Sequence, residues 1–201
     1  MKLVVGISGA SGAIYGIRLL ETLRQCQVET HLVISKSAGR TINLETNYKL
    51  HEVESLADFV YDNADVGAAV ASGSFRHDGM IIAPCSIKSL SGIAHSYNDN
   101  LLVRAADVTL KEKRKLVLMV RETPLHLGHL RMLVELSEAG GVILPPMPAF
   151  YHRPSSINDI INQTVGKILD QFNVEHQLFR RWGSVPEKSS ITKICDVLNV
   201  R

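Results

Sequence analysis

Short aliphatic, strand-length runs alternate with amphipathic stretches along nearly the whole chain, and no other feature restricts the fold as much. Leu3-Val4-Val5-Gly6-Ile7 leads into Ser8-Gly9-Ala10-Ser11-Gly12 and then a stretch from Ala13 to Arg24. In that stretch Ile14, Ile17, Leu20 and Leu23 fall on one helical face. The order recurs. Strands are expected at Val28–Ile34, Met80–Ala83 (stopped by Pro84), Leu116–Val120 and Val142–Leu144. Helices are expected at Ser35–Leu44, Ser86–Ala94, Leu101–Lys113, His126–Ala139 and Ser155–Phe172. Gly140-Gly141 closes the fourth of these, and Pro154 stands just ahead of the fifth. Such alternation implies right-handed crossovers between parallel strands. The expected class is α/β, a doubly wound three-layer sandwich with a mainly parallel sheet, Rossmann- or flavodoxin-like. One domain over 1–185 is expected, with a tail over 186–201.

Charge and composition remove several classes of function. Lys+Arg total 22 against Asp+Glu 20, a formal +2, without the basic excess of a dedicated nucleic-acid binder. Aromatics at 5% argue against a base-stacking platform. No apolar run reaches the ~18 residues of a membrane span, and the first apolar run is strand-length rather than a secretory signal. Cys26, Cys85 and Cys195 are odd in number and far apart, which suggests reduced thiols in a cytoplasm.

In a doubly wound sheet, ligands bind at the carboxyl ends of the strands, so the informative residues follow each strand. After the first comes Gly6-x-x-Gly9-x-x-Gly12, where small residues let backbone N–H groups approach a phosphate. The spacing is not that of a dinucleotide fingerprint, and the second strand ends in Ser35-Lys36-Ser37 rather than an acidic residue. A mononucleotide with a ribityl chain suits this better than NAD. After Pro84 comes Cys85-Ser86-Ile87-Lys88-Ser89-Leu90, with Ser86 a suitable helix N-cap. After the fourth strand comes Arg121-Glu122-Thr123-Pro124, and after the fifth a rigid loop, Pro145-Pro146-Met147-Pro148-Ala149-Phe150-Tyr151.

Taken in order, Gly9-Ala10-Ser11-Gly12, Pro84-Cys85-Ser86-x-x-Ser89-Leu90, Arg104-Ala105-Ala106-Asp107-Val108, Arg121-Glu122-Thr123-Pro124 and Pro148-x-Phe150-Tyr151 resemble the UbiX-like flavin prenyltransferases. Among these, the members associated with hydroxyarylic (phenolic) acid decarboxylases are most similar. The resemblance implies an enzyme that takes reduced FMN and dimethylallyl phosphate and joins the five-carbon unit to flavin N5 and C6. A fourth ring closes, and a partner UbiD-type decarboxylase uses the prenylated FMN. It implies FMN contacts at Gly9, Ala10, Ser11, Ser35, Ser86, Ile87, Lys88, Ser89 and Arg121. Arg104, Lys111, Arg121, Tyr151 and Lys167 would surround the dimethylallyl phosphate. Glu122 would stand at the reacting flavin edge, relaying a proton through Ser11. A homo-oligomer is expected, a dodecamer being one such assembly, with active sites at subunit contacts.

The residues also support this chemistry directly. Loss of phosphate from an allylic carbon leaves negative charge on oxygen, which fixed cations and a phenol stabilise as it develops. Arg and Lys can take the part magnesium plays in other phosphate chemistry, so no metal is expected. Plainer roles compete. Lys111 sits in a charge run, Arg104 can pair with Asp107 at helical spacing, and Cys85 follows a buried run as a packed thiol. His126 and His129 are three apart but lack a third ligand. Two other functions stand beside the main one: an FMN-dependent cysteine-peptide decarboxylase, and a non-catalytic flavin carrier.

Overall fold

Residues 1–183 are described by a computed structural model. The tail expected from 186, and Cys195 with it, lies outside the described residues. Six parallel strands form the sheet: β1 (Lys2–Ile7), β2 (Glu29–Ile34), β3 (Phe59–Asp62), β4 (Gly79–Cys85), β5 (Lys115–Val120) and β6 (Val142–Ile143), in the order β3-β2-β1-β4-β5-β6. Connecting them are α1 (Ala13–Gln25), α2 (Lys36–Glu45), α3 (Leu50–Glu54), α4 (Ile87–Ala94), α5 (Leu101–Lys111) and α6 (Leu127–Glu138), and α7 (Ile157–Asp170) follows the last strand. The doubly wound α/β class is as expected. The strand order reverses between β1 and β4, and the crevice that opens there is where such sheets hold ligands.

Side chains alternate across the pleat and divide into two cores. Val5, Ile7, Ile81 and Val117 face one layer, which includes Ile17 and Leu20 of α1 and Val165 and Ile168 of α7. Val4, Met80, Ile82 and Leu118 face the other, which includes Leu102 and Ala106 of α5 and Leu136 of α6. All fifteen of these residues are essentially sealed from solvent.

Three expectations are corrected. No strand was expected between Ile34 and Met80, yet β3 pairs with β2 along His31–Ile34. Phe59 and Val60 are about half exposed, so this edge strand shows no buried apolar run. Pro84 does not stop β4, which continues to Cys85 through a register shift after Ile82. Pro84 has no N–H to donate, but its carbonyl accepts from Ser8. Helix α5 ends at Lys111, and Lys113 already has positive φ.

Gly16 sets how closely α1 lies on the sheet. A Cβ there would fall 2.3 Å from the Ala83 carbonyl oxygen and 2.9 Å from Ile7 Cδ1. The nearest atom is backbone, so no rotamer change relieves the contact. Gly16→Ala is expected to destabilise by about 3 kcal/mol, despite alanine's better helix propensity. Thermal or denaturant unfolding checks this, and an unchanged midpoint would refute the close packing.

Candidate active site

Three turns meet at the carboxyl ends of neighbouring strands β2, β1 and β4. Ser8 locks two of them together. Its backbone N–H and its hydroxyl both donate to the Pro84 carbonyl, at 3.1 and 2.9 Å, and its Oγ accepts from Ser86 N–H at 2.7 Å. Ser8 is 1% exposed, so all these bonds are shielded from water. The third turn joins through Ser35, whose N–H donates to Ile7 O and whose Oγ caps α2 at Ala38 N–H. Ser86 caps α4 at Ser89 N–H. Helix N-termini carrying hydroxyls therefore converge on one crevice, a setting suited to a phosphate.

A cavity of about 1310 Å³ opens there, lined by Gly9, Ser35, Ser86, Ile87, Lys88 and Ser89 among others. Each of these six was expected to contact FMN. A Cβ on Gly9 would sit 2.4 Å from Ser37 Cβ, so only glycine lets the first turn close against the second. The volume exceeds the ~300–1,000 Å³ of a common ligand site, leaving room for a flavin and a second molecule. With hydroxyl and backbone donors at one end and an apolar wall including Ile34, Val60 and Val103, the lining fits FMN. Lys88 is exposed at the mouth, 3.9 Å from Asp99.

The other expected residues are not gathered around this cavity within one chain. Ala10 is buried and Ser11 exposed in the glycine turn, and neither belongs to the cavity lining. Arg121 and Glu122 follow β5 and are exposed. The Glu122 carboxylate accepts from Thr123 N–H at 3.0 Å. Arg104 pairs with Asp107 at 3.3 Å and donates to Ala71 O. Lys111 closes α5 and pairs with Glu112. Because α5 runs down into the start of β5, Lys111 stands at the opposite rim of the sheet from the crevice. Tyr151 and Lys167 lie beyond β6 and on α7, and neither lines the cavity.

Some features were missed in the sequence. Glu45, at the end of α2, accepts from Gly12 N–H at 2.7 Å and Ala13 N–H at 3.3 Å. It places a carboxylate on the N-terminus of α1 beside Ser11, where it suits the helix dipole. Tyr61, Asp62 and Asn63, at the end of the missed β3, line the cavity, as do His126 and His129. Those two imidazoles lie with centroids 3.6 Å apart and their planes tilted by 33°. Among the described residues no group of three His, Cys, Asp or Glu could hold a metal ion. Cys85 is fully buried, and desolvation pushes its thiol up to about 12, which suits packing rather than nucleophilic attack.

Residues 1–169 match the family described as Flavoprotein. The chain is 63% identical over 188 residues to the flavin prenyltransferase UbiX of Thauera aromatica, covering 94% of this chain and 97% of that one. It superposes on the solved structure of AnUbiX (PadA1) in complex with FMN and dimethylallyl pyrophosphate with a TM-score of 0.90, at 50% identity over 92% of this chain and 98% of that one. It superposes on a dodecameric FMN-dependent UbiX-like decarboxylase from Escherichia coli O157:H7 with a TM-score of 0.89, at 54% identity over 90% and 99% of the two chains.

Proposed function

The chain belongs to the UbiX-like flavin prenyltransferases, and from that premise we infer that it transfers the dimethylallyl group of dimethylallyl phosphate to N5 and C6 of reduced FMN. The product, FMN with a fourth ring, serves a UbiD-type aromatic acid decarboxylase. The cysteine-peptide decarboxylase and the non-catalytic carrier are not favoured beside these identities. One structural observation carries the reading: the serine-rich turns that Ser8 locks together at the reversal of strand order, beside a cavity with room for two ligands.

FMN supplies the nucleophilic nitrogen and carbon that accept the prenyl group. The protein's share is to hold the reactants and handle charge. Ser35, Ser86 and Ser89 fix the flavin nucleotide through their hydroxyls and through the N-terminal N–H groups of the helices that Ser35 and Ser86 cap. Arg104, Lys111, Arg121, Lys167 and the Tyr151 phenol face the departing phosphate, where positive charge and a hydrogen-bond donor lower the barrier to C–O cleavage. Glu122 accepts a proton released as the ring closes, with Ser11 as relay.

These cations do not line the cavity of their own chain, so a second copy brings some of them to it. A homo-oligomer, as in the dodecameric relative, therefore completes the site rather than merely surrounding it. We place the protein in the cytoplasm, in keeping with the free thiols of Cys26 and Cys85. Among the described residues no helix is long and apolar enough to cross a membrane.

Anaerobic incubation with reduced FMN and dimethylallyl phosphate, followed by mass spectrometry of the flavin, is expected to show a gain of one prenyl unit. An unmodified flavin would reject the reading. Tyr151→Phe and Lys167→Ala are each expected to raise KM for the prenyl phosphate about 10-fold or more, the cost of a hydrogen bond to a charged group, while FMN affinity holds. Unchanged saturation by the phosphate would reject both assignments.

A further inference from the structure

One carboxylate on α7 organises the chain that returns past Tyr151. Asp170 accepts from both terminal nitrogens of Arg181, at 3.0 Å on Oδ2 and 2.6 Å on Oδ1. Its Oδ1 lies 3.2 Å from His176 Nε2, and its Oδ2 lies 3.7 Å from Lys167 Nζ. The Arg181 pair is bidentate, the geometry that fixes orientation as well as charge. Arg181 in turn stands over the Phe179 ring, 5.5 Å from its centroid. Phe179 rests on Gly166, where a Cβ would meet Phe179 Cε1 at 2.5 Å and His176 Cε1 at 2.6 Å. Glycine inside a helix costs about 1 kcal/mol against alanine, and this close approach accounts for it here. Lys167 and Gly166 stand three and four residues before Asp170 on α7, so each neighbours it across one helical turn.

The segment so held ends at Trp182, which meets the Tyr151 ring edge-on at 5.7 Å and 87°. The Arg181 hydrogen bonds, the largest influence, hold the Asp170 carboxyl below its usual range against the opposing effect of burial. Neither Asp170 nor Arg181 was among the residues expected at the site.

We propose that Asp170 is a positioning residue for capture of the prenyl phosphate: it pins residues 176–182 to α7, so that Trp182 braces the Tyr151 phenol while Lys167 is kept on the same helical face. Asp170 touches neither reactant and acts through Tyr151 and Lys167. The inference rests on the assignment of those two residues to the prenyl phosphate.

The test uses the full-length protein. Trp182 is its single tryptophan, so fluorescence anisotropy of the FMN-free protein reports whether the segment is docked. Asp170→Asn is expected to lower that anisotropy and raise KM for dimethylallyl phosphate about 10-fold, as misplaced reactant-holding groups do. kcat at saturation and FMN affinity should stay near the parent values, and Asp170→Glu should recover much of the KM. An unchanged KM in Asp170→Asn overturns the proposal, whether or not Trp182 loosens. So does a loss of FMN affinity in step with KM, which would mark general damage. If Asp170→Asn does not fold, Gly166→Ala pushes Phe179 off α7 with the carboxylate intact, and it should reproduce both effects. An unchanged KM there is equally fatal. An unchanged KM in Tyr151→Phe rejects the underlying assignment itself, and is thereby told apart from an unchanged KM confined to Asp170→Asn.

Discussion

Glu122→Gln protein is expected to bind FMN as the parent does and to form prenylated flavin at least about 100-fold more slowly, the usual contribution of a placed general base. Glu122 is the carboxylate that follows β5 directly, and it carries few structural duties. It is exposed, and among the described residues it accepts a hydrogen bond from the neighbouring Thr123 N–H. Glutamine keeps that acceptor and the side-chain shape but cannot take up a proton. Stability should therefore hold while turnover falls. Single-turnover measurement of the flavin product, with FMN titration alongside, checks both halves. Near-parent turnover would remove Glu122 from proton transfer. Weakened FMN binding would instead make it a flavin contact.

The second large effect concerns assembly. Leu127, Leu130 and Val134 lie on one face of α6 and are 60%, 45% and 56% exposed, with Leu125 just ahead of them at 39%. An apolar helical stripe left open to water marks an interaction surface, and a second copy of the chain is the occupant that the divided site calls for. The double variant Leu130→Glu/Val134→Glu is expected to keep its circular dichroism and to lower the mass measured by light scattering. Prenyl transfer should fall at least about 100-fold, because fixed charges that stabilise a departing group contribute at this scale. His129 of the same helix lines the cavity but none of the stripe residues does, so FMN binding should survive in part. Full turnover from a dissociated chain would show that one copy holds a complete site. An unaltered mass would place the interface on another face.

The residues that read clearly in the sequence are those whose environment is set locally. Val4, Val5, Ile81 and Val117 are sealed between helical layers, and a strand buried on both faces shows as an unbroken aliphatic run. The flavin-holding turns were legible because they directly follow such runs, and Ser35 and Ser86 carry the signature of helix caps. β3 was not legible, since an edge strand with Phe59 and Val60 half in water has no apolar pattern to show. Glu45 was hidden for a different reason: its partners, Gly12 and Ala13, are brought to it only by closure of the β1-α1-β2-α2 unit. Arg104 and Lys111 look like an ordinary ion pair and a charge run, and within one chain that is what they form. Their assignment to the prenyl phosphate came from resemblance, because their own spacing reads as no more than those local pairings.

Ser8 has a consequence for how the enlarged flavin leaves. Its hydroxyl is committed on both sides, donating to Pro84 and accepting from Ser86, so the turns after β1 and β4 cannot part without breaking shielded bonds. The opposite wall of the cavity includes Val60, Tyr61 and Asp62 on a four-residue strand that, among the described residues, has β2 as its one strand partner. A tetracyclic product wider than the tricyclic molecule that entered is therefore expected to leave on the β3 side, past the outermost strand rather than past the glycine turn.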